Sequence, residues 1–175
     1  PKYRDAIINL GNLAYEDESY QNAFDYYAKL TKDGTSEPTL LGYMGMCLFE
    51  LGHIEDGITL CEEAIKMDPN CEKPYFLLAD MMHQNKDPEA VIHYYYQLLE
   101  QNPNSFSAYF ELGNYFRKIK CFNMALDYYD KCLSVNPDFK EANFEKANIF
   151  SKTGKHEDSI SALKQIIELD TQNSE

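Results

Sequence analysis

A chain of 175 residues with 44% hydrophobic residues, only eight glycines and seven prolines can build a core, and its composition excludes a linker or a disordered tail. Its net charge of −13 argues against nucleic acid as a partner, because such a binder presents a basic face. No apolar run approaches the ~18 residues of a membrane span, no signal peptide is expected from the first residues, and five cysteines without a CxxC read as reduced thiols of an intracellular, cytoplasmic protein.

An internal period of 34 residues divides the chain into 4–37, 38–71, 72–105, 106–139 and 140–173. In the first segment Gly11, Ala14, Ala23 and Tyr27 stand at positions 8, 11, 20 and 24, with Thr35 at position 32. The second carries Gly45, Leu48, Gly57, Cys61 and Pro69 at the same places. The third carries Ala79, Met82, Val91, Tyr95 and Pro103, although Ala90 falls one place early. The fourth carries Gly113, Phe116, Ala125, Tyr129 and Pro137. The fifth carries Ala147, Phe150, Ser159, Leu163 and Thr171, and departs with Asn143 and Lys146 at usually apolar places.

These recurrences have a physical reading. Gly or Ala at position 8 lets two helices approach closely. The prolines at position 32 stop the second helix of each segment. Tyr109, Leu112, Tyr115 and Phe116 mark one face of a helix over 108–118. Met124, Leu126, Tyr129, Cys132, Leu133 and Val135 predict a second helix over 123–135 with a wider apolar stripe, as expected of an element touching neighbours on both sides. Leu51-Gly52-His53 and Thr153-Gly154-Lys155 read as turns between helices, and Asp87 with Pro88 as a helix start. Cys61 and Cys132 fall on core positions.

The pattern resembles that of the tetratricopeptide-repeat superfamily over nearly the whole chain. The resemblance implies an all-α fold, a right-handed α-solenoid of five helix-turn-helix repeats forming one array over residues 1–175. Stacked repeats bury a continuous core that no single pair can build. No polar cap is visible at either end, and the chain starts with Pro rather than Met, so the expectation is a fragment of a longer solenoid with other subunits stacking on its uncapped ends.

Little in the sequence supports chemistry. His53, His83, His93 and His156 lack metal-ligand spacing to one another or to a thiol. His53 and Glu55 echo the HxE of a zinc deaminase, but the PCxxC that must follow is missing. No phosphate-binding, dinucleotide or nucleophile-elbow motif occurs. Glu55, Asp56, Glu62 and Glu63 read as a solvated acidic face. Of Tyr94, Tyr95 and Tyr96, one ring belongs in the core and the others between repeats. The expectation is a protein without catalytic residues, metal or cofactor.

The resemblance further implies that the first helix of each repeat lines a concave groove through positions 2, 5, 6, 9, 12 and 13. Position 5 then places Phe76, Phe110 and Phe144 as an apolar ladder in repeats three to five. Position 9 places Asn12, Asn114 and Asn148, whose amides can both donate to and accept from an extended backbone. Arg117, Lys118 and Lys152 make a basic end, although the repeats carry net charges of −4, −5, −3, 0 and −1 in chain order. The candidate binding set is Phe76, Phe110, Asn114, Arg117, Lys118, Phe144, Asn148 and Lys152, and the occupant a protein or peptide partner with apolar anchors and an acidic end. The acidic first half has no assignable role.

Three functional classes follow. One is the repeat segment of a large assembly subunit. Here Leu78-Ala79-Asp80-Met81-Met82, Ala90-Val91-Ile92-His93 and the stretch from Leu98 to Asn104 resemble the large repeat subunit of the ciliary intraflagellar transport A complex, which implies transport-complex partners and a ciliary location. A second is a chaperone adaptor gripping an acidic peptide C-terminus. Asn12, Asn114 and Asn148 match that clamp's asparagine, but Ile8, Phe110 and Phe144 stand where it needs lysine. The third is the docking arm of an enzyme whose catalytic domain lies elsewhere.

Overall fold

The structure, a computed structural model, describes residues 2–31 and 37–172, with side chains over 3–31 and 37–169. Among them the regular structure is helical. In chain order the helices are α1 (Lys2–Glu16), α2 (Tyr20–Thr31), α3 (Pro38–Glu50), α4 (Ile54–Met67), α5 (Glu72–Gln84), α6 (Pro88–Gln101), α7 (Phe106–Lys118), α8 (Phe122–Val135), α9 (Lys140–Lys152) and α10 (His156–Gln172). They pair as α1/α2 through α9/α10, one helix-turn-helix per 34-residue period, and the fold class is the expected all-α one. The chain divides into two compact units, Pro1–Gln101 with α1 to α6 and Asn102–Glu175 with α7 to α10.

Capping residues explain where the helices begin. Asp87 accepts the Ala90 amide at 3.0 Å ahead of Pro88, and Ser105 Oγ accepts the Ala108 amide at 3.2 Å. The latter starts α7 two residues before the apolar periodicity does. Helices α4, α6 and α8 end two residues before Pro69, Pro103 and Pro137. Thr35 lies outside the described residues, as does the side chain of Thr171.

The turn inside each pair is one motif used five times. The position-15 residue adopts positive φ throughout: Glu18 (59°), Gly52 (88°), Lys86 (59°), Lys120 (63°) and Gly154 (76°). The next amide reaches back to the carbonyl of position 11, as Cys121 N does to Phe116 O at 2.9 Å and His53 N to Leu48 O at 2.9 Å. The position-15 amide bonds position 12, as Lys120 N does to Arg117 O at 3.0 Å. This is the Schellman arrangement, which satisfies carbonyls orphaned at a helix end. Glycine is the natural occupant, yet three of the five turns do without it.

Close approach depends on small residues. A Cβ on Gly45 would lie 2.6 Å from Gly57 O and 2.8 Å from Cys61 Sγ, so α3 and α4 meet almost backbone to backbone. In the first and fourth pairs a tyrosine ring uses the room instead: a Cβ on Gly113 would sit 2.5 Å from Tyr129 Cε1. Tyr27, Cys61, Tyr95 and Tyr129 are accordingly buried, as is Cys132. Ser159, where other repeats carry Ala, Gly or Val, donates its hydroxyl to Ala147 O at 3.0 Å and is thereby accommodated in the core.

Two helix faces stand open. Leu10 and Leu13 of α1 are 45% and 56% exposed, whereas their equivalents Met44, Leu78, Cys47 and Met81 are buried. The reason is packing order: α2 covers α3 and α4 covers α5. On α10, Ile160, Leu163 and Ile167 form a second exposed stripe.

Candidate functional site

In the second unit, α7 and α9 carry seven of the eight candidate residues. Phe110 is half-buried, its ring 5.7 Å from that of Tyr129 and 4.9 Å, edge-on, from that of Phe139. It is packing material more than display. Phe144 differs, with 53% of its surface exposed. Asn114 is engaged on both sides of its amide: Oδ1 accepts from Tyr129 Oη at 2.9 Å, and Nδ2 donates to Glu111 Oε2 at 3.4 Å.

Arg117, Glu145 and Asn148 are brought together. Arg117 Nε lies 3.1 Å from Glu145 Oε2, and Asn148 Nδ2 donates to the same oxygen at 3.5 Å. The guanidinium is therefore compensated by a carboxylate that the sequence places one repeat away. Lys118 and Lys152 are exposed. The face thus combines an exposed ring, two lysines and a polar cluster.

Phe76 belongs to the first unit, where it tilts against the buried Tyr95 with centroids 5.9 Å apart. The expected ladder of three displayed rings therefore reduces to one displayed ring, because Phe76 and Phe110 turn onto aromatic residues of the second helices. Tyr95 is the core member of the tyrosine triplet, while Tyr96 is 41% exposed.

The first unit holds a cleft of about 290 Å³ on the groove-lining positions of α1, α3 and α5. Tyr15 and Glu16 come from positions 12 and 13, Tyr43 and Leu77 from position 6, and Met46 and Asp80 from position 9. Its floor is ordered. Tyr27 donates to Asn12 Oδ1 at 2.8 Å and stacks on Tyr43 with centroids 5.4 Å apart. Lys73 holds its ammonium 5.3 Å from the centre of the Tyr43 ring, within cation–π range.

At the rim Tyr15 Oη donates to Glu50 Oε1 at 3.4 Å, and Gln84 Nε2 donates to the same oxygen at 3.0 Å. Burial first, then the negative charge of Glu50, with Asp80 a smaller contributor, raises the Tyr15 phenol well above its ordinary range. The signal for this site is in the sequence, because the lining residues on first helices all fall on groove positions; the convergence of these positions, and the part taken by Tyr27 from a second helix, are not.

All four histidines are exposed. Among the described residues no three His, Cys, Asp or Glu side chains gather as metal ligands, and no helix is long and apolar enough to cross a membrane. Burial pushes the Cys132 thiol up to about 11 and the Cys61 thiol up to about 12, which makes both poor nucleophiles.

Comparison with known proteins agrees with this architecture. Models of the tetratricopeptide repeat match residues 41–71, 106–139 and 140–173, together more than half of the chain and in register with the 34-residue period. The TPR repeat-containing protein YsoA of Bacillus subtilis (strain 168) is 27% identical over 66 residues, which is 38% of this chain and 20% of YsoA. The match therefore spans about a fifth of that relative's length. A crystal structure of MamA superposes with a TM-score of 0.67 at 18% identity, covering 94% of this chain and 96% of that one. MamA 41-end from Desulfovibrio magneticus RS-1 gives 0.65 at 15% identity, covering 100% and 99%. At such identities the likeness is one of fold.

Proposed function

The chain belongs to the tetratricopeptide-repeat family, and from that premise we propose that it is a non-catalytic protein-interaction scaffold, a segment of a subunit of a large assembly. The observation that carries this reading is Phe144, a large ring more than half exposed on a first helix, with Asn148 one helical turn and Lys152 two helical turns further along α9. Exposed aromatic residues rimmed by polar groups are typical anchors for a partner chain. Lys118 on α7 is a further exposed cation of this unit. The open stripes on α1 and α10 are surfaces on which neighbouring subunits can stack.

The test uses exposed residues, so that folding is spared. Affinity capture with the wild-type chain is compared with capture by a Phe144→Ala, Lys118→Glu, Lys152→Glu variant of equal helicity. Loss of the wild-type partners is expected. Identical capture by both would move the working surface to the convex face or the ends. The resemblance around Leu78–Met82 points to one assembly, ciliary intraflagellar transport, and co-purification with the other subunits of that complex from ciliated cells tests it separately.

A further inference from the structure

We infer that the cleft of the first unit docks an arginine- and lysine-rich extended segment of a partner protein, a surface distinct from the Phe144 face. The inference rests on the scaffold reading but not on the residues proposed to serve it.

Charge is the first support. Glu16 and Asp80 line the cleft and Glu50 stands at its rim, against one cation, Lys73, among the described lining residues. The three repeats that build the unit are the most acidic of the five, with net charges of −4, −5 and −3. The field over the cleft therefore attracts cations and repels acidic tails. An acidic C-terminus is the wrong ligand here.

Ring chemistry is the second. The ammonium of Lys73 already lies over Tyr43, so the cleft contains one worked instance of the contact an incoming cation would make. Tyr15 offers another ring, fixed by its bond to Glu50 and by edge contact with Tyr20 at 5.2 Å. A guanidinium can stack on such a ring while bonding a carboxylate. Met46 and Leu77 supply apolar lining for the stems of long cationic side chains. A volume of about 290 Å³ admits side chains and not a folded domain.

The experiment is fluorescence anisotropy with two labelled peptides, one alternating arginine with leucine and one alternating glutamate with leucine. The basic peptide is expected to bind saturably, and to weaken severalfold, roughly fivefold, as salt rises through the physiological range. Asp80→Asn combined with Glu50→Gln should weaken it by about tenfold. Glu62→Gln with Glu63→Gln, which removes the same charge from the exposed face of α4, should leave it unchanged. Asp80 is exposed, so Asp80→Asn alone serves if Glu50→Gln perturbs folding.

Three outcomes overturn the inference: equal binding of the acidic peptide, equal loss in both charge variants, or no saturable binding of the basic peptide. The Phe144 variant separates the two proposals. If it retains the basic peptide while losing its other partners, the surfaces are independent. If capture on the Phe144 face survives and the basic peptide fails, only the cleft assignment falls.

Discussion

Tyr129 donates its phenolic hydrogen to Asn114 Oδ1 across 2.9 Å, and its ring fills the space that the missing side chain of Gly113 leaves open. Tyr27, Asn12 and Gly11 repeat the arrangement in the first pair, with a bond of 2.8 Å. Positions 8, 9 and 24 of the repeat thus act together. Glycine admits the ring, the ring closes the helix pair, and asparagine satisfies the hydroxyl that burial would otherwise strand. In the fifth repeat Leu163 stands at position 24, so Asn148 has no tyrosine hydroxyl to accept from and keeps the Nδ2 contact to Glu145 that parallels the one from Asn114 to Glu111.

Replacing Tyr129 with Phe keeps the ring and removes the donor, and should lower stability by about 1 kcal/mol. Tyr129→Ala also removes the ring and should cost about 3–5 kcal/mol. Urea unfolding at unchanged m-value distinguishes them. Equal losses in the two variants would show that the bond, not the ring, closes the pair.

The αL turns make a prediction with the opposite sign. Lys120 holds a φ of 63° that costs a side-chain-bearing residue about 1 kcal/mol or more, and glycine nothing comparable. Lys120→Gly should therefore stabilise the second unit by about 0.5–1 kcal/mol, after the greater entropy of glycine in the unfolded chain is offset. Gly154→Lys at φ 76° should destabilise it by a similar amount. A thermal melt that falls for Lys120→Gly would contradict the turn assignment.

Lys146 occupies the place where other repeats bury Met44, Leu78 and Leu112, and it pairs with Asp130 at 2.5 Å. Its side chain is 17% exposed, so the ammonium is partly desolvated. Lys146→Met should be neutral or stabilising by about 1 kcal/mol, because apolar packing replaces a desolvated ion pair. Asp130→Ala alone should cost about 1 kcal/mol by stranding the cation, and little once Lys146→Met is present. A double-mutant cycle reads the coupling, and additive losses would refute it.

Alkaline pH should unfold the chain through its buried acids. Burial pushes Tyr129 up to about 12, Arg117 partly opposing, and Cys132 up to about 11. A folded pKa above the unfolded one means that the native state holds the proton longer. The stability is complete below about pH 9, where the unfolded thiol begins to ionise, and is lost as pH rises through 11 to 12. Circular dichroism against pH, with phenolate absorbance followed in parallel, measures this. Tyrosines that ionise near their ordinary range while helicity persists would contradict it. Exposed Cys121 should react with a thiol reagent in the native state, whereas Cys47, Cys61 and Cys132 should wait for unfolding.

The sequence by itself determined the local rules of this protein. A 34-residue period, small residues at position 8 and prolines at position 32 specify paired helices, their ends and their buried faces, because each depends on neighbours within one repeat. Tertiary structure decided what the inner faces do with their side chains. Position 5 predicted three displayed rings, but Phe76 and Phe110 found aromatic partners on second helices and only Phe144 remained open. Arg117 read as a free cation until α9 brought Glu145 to it. The acidic first half shows a cleft only once Tyr15, Tyr43 and Asp80, scattered over three repeats, converge. Periodicity tells which side of a helix a residue occupies; whether it is spent on a neighbour or offered to a partner depends on contacts between repeats, which no single repeat encodes.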